Sequence, residues 1–313
     1  MEVSSNWQGR VWGRTNCTFT ENGTAPADMG GVACTTGDCF GKLDCAFSGA
    51  PPSTLAEFTL AGGSTGKQTF YDISLVDGYN IPVGIVYLPA PNTSFIPPNL
   101  VNTVCIATAG YLDEPAARTG DVYTNASFPM PYESSRTNAN IAKWCPWDLQ
   151  TQPPSKPGDG VYPYPDDGIA RPVFDPCLSA CAHSGADKDC CTGKYNNPKK
   201  CKRGLYSTRA KQVCPDAYSF AYDDQASTFI IPSGGGWEVV FCPAGRSTDI
   251  LATFGTQLSE LASTGNLTSQ SLADVKNITY IESQDSAGTS VRPLSTKTVL
   301  AVVLGVATAF TLW

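Results

Sequence analysis

One histidine, His183, stands in a chain of 313 residues. It sits in the stretch CLSACAHSG, with no nucleophile motif beside it. Serine–histidine and cysteine–histidine triads need an imidazole base, so their chemistry has almost no footing here. A satisfied loop histidine is the plainer reading. Basic residues are also in deficit: 21 Lys and Arg face 28 Asp and Glu, for a net charge of −7. That balance argues against nucleic acid as a partner and suits neutral sugars or cationic ligands. Paired CxxC spacing is missing around Cys34, Cys39 and Cys45, and one histidine adds little to a zinc site, so no metal is expected. No GxGxxG opens a helix. Gly30, Gly31, Gly37, Gly41 and Gly49 therefore read as turn residues, not a phosphate cradle, and no cofactor is expected. The opening MEVSSNWQGR has neither the basic nor the apolar part of a secretion leader.

What the chain does have is cysteine, glycine and proline. Thirteen cysteines point to an oxidising compartment and a stapled fold. With 29 Gly and 24 Pro, many turns and little long helix are expected, in one large β domain plus appendages. The most informative stretch is Leu55–Leu88, LAEFTLAGGSTGKQTFYDISLVDGYNIPVGIVYL. It reads as a hairpin: Phe58–Leu60 form one arm, Gly62–Gly66 turn the chain, and Thr69–Val76 return with period-2 alternation. Phe70, Asp72 and Ser74 then share one face, with Tyr71, Ile73 and Leu75 on the other. Asp77-Gly78 ends the strand in a turn. Glu57, Asp72 and Asp77 are thus carboxylates mounted on a rigid sheet. From spacing alone, solvated strand residues and a functional cluster are equally compatible with the pattern.

PPSTLAEFTL followed by FYDISLVDGYNIP resembles the thaumatin-like (osmotin-like) family. Further landmarks follow in the family's order: GRVWGRTNC at Gly9–Cys17, CTTGDCFGKLDC at Cys34–Cys45, CPDAYSFAYDD at Cys214–Asp224 and FCP at Phe241–Pro243. The resemblance spans roughly residues 6–246, with Val32 departing from the usual Gly or Phe. It implies an all-β fold: a thaumatin-like β-sandwich main body with a disulfide-rich loop lobe, little helix outside residues 250–262 and the tail, and a cleft between body and lobe. It also implies the disulfides Cys17–Cys34, Cys39–Cys45, Cys105–Cys214, Cys145–Cys177, Cys181–Cys190 and Cys191–Cys201. Cys242 is left over. In the family its partner lies in opening strands that this chain lacks, so the sequence reads as N-terminally truncated. One further family disulfide is absent in both halves; Ile231 stands at one of them.

Three segments are expected: a thaumatin-like domain over 1–246, a Ser/Thr-rich stalk with a possible short helix over 247–285, and an attachment signal over 286–313. Within the lobe, the interval between Cys145 and Cys177 is long for the family. Its Tyr162, Tyr164 and Phe174 could stack on sugar rings, although a proline-stiffened surface insertion explains them as well. Sequons at Asn22, Asn92, Asn125, Asn266 and Asn277 agree with a secretory route; a sixth at Asn16 has a disulfide cysteine at its centre. The small residues Ser286, Ala287 and Gly288 precede a polar spacer and the apolar run TVLAVVLGVATAFTLW. This order is that of a glycosylphosphatidylinositol attachment signal, and it places the mature protein at the cell surface or in the wall. A transmembrane helix is the rival, but the run is short and no basic residue follows it.

The family's acidic cleft holds an arginine, a glutamate and three aspartates. They correspond to Arg10, Glu57, Asp72, Asp77 and Asp224. Two carboxyl groups flanking a glycosidic bond can hydrolyse it. The expected roles are Glu57 as acid and Asp77 as nucleophile or base, with Asp72 and Asp224 binding hydroxyls. Arg10 is expected nearer an aspartate than Glu57; a surface arginine stacked on Trp12 is its plainer alternative. The resemblance implies a monomer that engages β-1,3-glucan or another wall polysaccharide, possible endo-β-1,3-glucanase activity, and membrane contact only through the lipid anchor. The alternative is a non-catalytic glucan-binding or antifungal defence protein.

Overall fold

The structure, a computed structural model, describes residues 1–91, 93–112, 127–151 and 176–276. Its body is two antiparallel sheets packed face to face. The first has the order β1-β4-β5-β8, from β1 (Gln8–Trp12), β4 (Leu55–Gly62), β5 (Gln68–Ser74) and β8 (Phe229–Pro232). The second has the order β7-β6-β9, from β6 (Val83–Leu88), β7 (Thr103–Cys105) and β9 (Gly236–Phe241). A small ribbon, β2 (Thr15–Cys17) with β3 (Cys34–Thr36), stands beside them.

The expected hairpin is present, with longer arms. β4 runs from Leu55 to Gly62 because its neighbour β1 supplies a second row of hydrogen bonds that sequence reading does not see. Gly63 and Gly66 both adopt positive φ in the turn, where a side chain would be strained. Alternation in β5 holds: Tyr71 and Ile73 are buried, while Phe70 and Asp72 are half-buried on the other face. The core forms where the two sheets meet. Tyr71 stacks on Phe229 at 5.1 Å and meets Trp237 of β9 at 4.4 Å, and its hydroxyl donates to the Val101 carbonyl at 2.7 Å. Trp237 also touches Phe58 and Tyr87, so one indole links both sheets.

Helix is more extensive than expected. A single turn, α1 (Asn138–Ile141), is followed in the disulfide-rich segment by α2 (Ala180–Ser184), α3 (Asp187–Cys190) and the nine-residue α4 (Leu205–Val213). Buried Tyr206, Ala210 and Val213 line one side of α4, and the Tyr206 hydroxyl donates to the Leu75 carbonyl at 2.6 Å. Here a short helix meets the end of β5 where a loop was expected.

A second difference lies after residue 246. The expected stalk instead begins as α5 (Ile250–Thr253), α6 (Gly255–Thr264) and α7 (Ser269–Asp274), all joined to the body. The Asp216 carboxylate accepts from the Ile250 and Leu251 amides, and α6 lies against β8. Ile250, Phe254, Leu258, Leu261 and Val275 are buried. The helical spacing of Ile250, Leu251, Phe254, Leu258 and Leu261 is legible in the sequence; the packing of α6 against β8 is not. Residues 286–288 and the apolar tail lie outside the described residues, as do Asn92, Asn125, Asn277, Tyr162, Tyr164 and Phe174.

The structure contains Cys17–Cys34, Cys39–Cys45, Cys105–Cys214, Cys145–Cys177, Cys181–Cys190 and Cys191–Cys201, the pairs that the resemblance implies. Cys242 is a free, exposed thiol at the end of β9.

Candidate functional site

Register brings the predicted residues together. Arg10 on β1 pairs with Glu57 on β4, and Glu57 pairs with Asp72 on β5. Directly opposed residues of neighbouring strands point to the same face, so these three form one row across the sheet. Asp77 comes to the end of the row from the turn after β5. One guanidinium holds two carboxylates: Arg10 Nη2 lies 3.2 Å from Glu57 Oε1, and Nη1 lies 3.5 Å from Asp77 Oδ2. Nη1 also donates to Ser48 Oγ at 2.9 Å.

The expectation that Arg10 sits nearer an aspartate than Glu57 is therefore corrected. Its place opposite Glu57 in the register decides the closer contact. Stacking on Trp12 is not its role either: the guanidinium is engaged by Glu57, Asp77 and Ser48, and Trp12 Nε1 donates to the Gly37 carbonyl at 2.9 Å.

Asp224 arrives from another direction, at the start of a short turn, Asp224–Ala226. Its carboxylate accepts from the Tyr218 hydroxyl at 2.8 Å, and that hydroxyl also contacts Thr228 Oγ1. The preceding Asp223 has a different job. It is buried between Arg203 at 2.8 Å and Lys211 at 3.3 Å and accepts from Ser219. Lys211 Nζ further donates to the Ala217 and Ala226 carbonyls, clamping the segment that presents Asp224. Ser48, Lys211, Tyr218 and Asp223 are contributors that sequence reading missed. The pair Asp223-Asp224 is visible in the sequence, but only folding separates the clamp from the site residue.

Crowding and burial push the cluster's carboxyls toward the protonated form. Burial raises Glu57 most; Arg10 opposes it, and Asp77 adds to it. Asp77 is raised by burial, again against Arg10. Asp72 is raised well above the usual aspartate range, first by burial and then by Glu57. The three are not equivalent. Glu57 and Asp77 leave 22% and 32% of their side chains open to solvent and share a cation, which moderates their shifts. Asp72 Oδ1 is enclosed with no hydrogen-bond partner, and its carboxyl is raised the most. A small crevice of about 30 Å³ is lined by Val76, the neighbour of Asp77, by Tyr206 and by Ser179–Cys181. A larger cavity of about 310 Å³ lies between Tyr87, Pro232 and Gly265 and shares no residue with the carboxylates.

Comparison with known proteins identifies the family. Residues 1–243 match the thaumatin family model. The chain belongs to the thaumatin family. Among curated thaumatin-family relatives, it is 35% identical over 239 residues to "Glucan endo-1,3-beta-glucosidase" of Prunus avium, covering 76% of this chain and 72% of that one. It is 34% identical over 243 residues to "Pathogenesis-related protein 5" of Arabidopsis thaliana, covering 78% and 74%. A third relative is the "PR5-like receptor kinase" of Arabidopsis thaliana, 32% identical over 251 residues; the match takes 78% of this chain but 28% of that protein. The thaumatin match ends at Pro243, so α5–α7 lie beyond it. No helix of the described residues is long and apolar enough to cross a membrane.

Proposed function

We propose that this thaumatin-family protein engages β-1,3-glucan at the Arg10–Glu57–Asp72 row and hydrolyses it as an endo-β-1,3-glucanase. The observation that carries the reading is a cluster of carboxyls on a rigid frame, Glu57 and Asp72 on one sheet face and Asp77 at its end, joined through Arg10 and each raised toward protonation. In this reading Glu57 gives its proton to the leaving glycosidic oxygen, and Asp77 attacks the anomeric carbon or activates water. Asp72 and Asp224 bind sugar hydroxyls, and Arg10 holds Glu57 and Asp77 at a set separation. The glucanase named among the relatives supports the substrate class.

The experiment is reducing-end release from laminarin. Glu57→Gln keeps the shape and removes the acid. Hydrolysis should fall at least about a hundredfold while glucan binding persists. Undiminished hydrolysis in Glu57→Gln would remove Glu57 from its role.

A second reading, a non-catalytic glucan-binding or defence protein, is favoured by one observation. Arg10 already engages both proposed catalytic carboxylates and favours their charged forms, which suits holding sugar hydroxyls better than giving up a proton. Laminarin binding without turnover by the wild type would select it.

The compartment is part of the proposal. Six disulfides suit an extracellular protein acting as a monomer on a wall polysaccharide, with exposed Asn22 and Asn266 as glycosylation sites. Ser286–Gly288 would carry the lipid anchor that holds it at the cell surface. Phosphatidylinositol-specific phospholipase should release it from expressing cells, and mass spectrometry should find no peptide from residues 298–313 in the mature protein.

A further inference from the structure

Two phenylalanines near the carboxylate row are unusually open. Phe40 is 73% exposed and Phe47 64%, and their rings meet edge to face at 5.4 Å. A single exposed apolar residue needs no explanation, but two aromatic rings held together in solvent do.

The backbone beneath Phe40 sharpens the point. The Lys42 amide donates to the Cys39 carbonyl, and the two residues between them, Phe40 and Gly41, have φ of 51° and 68°. A turn with both central residues at positive φ favours glycine or asparagine. A phenylalanine there is strained, because its Cβ crowds the following carbonyl oxygen. Burial of its ring does not offset that strain, since the ring lies in water. Strain kept at an exposed position points to a task.

The pair is also rigid. The Cys39–Cys45 disulfide closes the loop that carries Phe40, and the Asp38 carboxylate accepts from the Cys34 and Gly41 amides. Phe47 follows that disulfide by two residues. Ser48 comes next, and its hydroxyl accepts from Arg10, the same guanidinium that holds Glu57 and Asp77. Gly49 then packs so closely on Trp12 that an added Cβ would lie 2.3 Å from Nε1. The aromatic loop is thus fastened to β1 at the Arg10 end of the carboxylate row.

We infer that Phe40 and Phe47 form an outlying sugar-stacking subsite, which takes glucosyl residues of a β-1,3-glucan chain beyond those held at the carboxylates. The inference rests on the glucan reading above. A glucosyl ring presents a flat C–H face to which an aromatic ring is complementary, while hydroxyls at its rim suit the neighbouring polar row. A platform already rigid before binding loses little conformational entropy when the chain arrives. The subsite makes the protein a reader of long chains rather than short ones.

The test compares laminaritriose with laminarihexaose by calorimetry, using the full chain, Phe40→Gly, Phe47→Ala and the double variant. Phe40→Gly relieves the turn, so its melting temperature should equal or exceed that of the wild type. The trisaccharide should bind all four proteins alike, while the double variant should bind the hexasaccharide about tenfold more weakly than the wild type. Equal hexasaccharide affinity in the double variant overturns the subsite and leaves the glucan reading standing. So does a lowered melting temperature in Phe40→Gly with binding unchanged, which would make the pair structural. Adsorption to phosphatidylcholine vesicles that the double variant abolishes, with hexasaccharide binding unchanged, would assign the rings to a lipid surface instead. If the wild type binds neither sugar, the glucan reading falls and the subsite with it.

Discussion

Asp72 is the most expensive residue in the row. Its Oδ1 is enclosed without a partner, and Glu57 stands directly opposite. Its carboxyl is raised well above the usual range in the folded state, so folding binds a proton there. The stability gained is complete below the ordinary aspartate pKa of about 3.9 and is lost as pH rises through the raised value. Asp72→Asn should therefore stabilise the protein at pH 7 by about 1 kcal/mol, a rise of a few degrees in melting temperature, and have little effect at pH 3. A matching gain at both pH values would separate the effect from titration. Arg10 acts in the opposite sense, lowering both Glu57 and Asp77. Arg10→Gln should move the acidic limb of glucan binding or hydrolysis to higher pH, read from a pH profile.

At the scale of elements, β5 and α6 show two ways of protecting a sheet. β5 is central, between β4 and β8, and sends Tyr71 into the aromatic cluster. Tyr71→Phe keeps the ring but leaves the Val101 carbonyl unpaired, which should cost about 1–3 kcal/mol in denaturant unfolding. α6 covers β8, the outer strand, with Leu258 and Leu261 buried, and the Gln68 side chain donates to the Ala262 carbonyl at 2.8 Å. Leu261→Ala should cost about 2–5 kcal/mol. It should also raise amide exchange in β8 before the rest of the first sheet, because an uncovered outer strand opens first.

At the scale of the whole molecule, the disulfides divide by the length of chain they close. Cys105–Cys214 spans 109 residues and joins β7 to the end of α4; Cys39–Cys45 spans 6. Replacing the first pair with alanines should cost about 2–5 kcal/mol, and replacing the second roughly half as much, as measured by chemical denaturation. Much of this architecture was legible before folding. Alternation in Thr69–Ser74 marks a half-buried strand because side chains on a strand point to opposite faces. The carboxylates were legible as residue types, since an aspartate in such a strand needs a reason. Three matters belonged to tertiary structure alone. Strand register, set across residues 10, 57 and 72, chose which carboxylate Arg10 meets first. The open flank of β8 gave the helix after residue 254 a surface to pack on. The turn at Phe40 left two rings in water beside the row. Local sequence carries periodicity and chemistry. Which distant segments lie side by side is a property of the assembled chain, because those contacts exist only after the loops between them have closed.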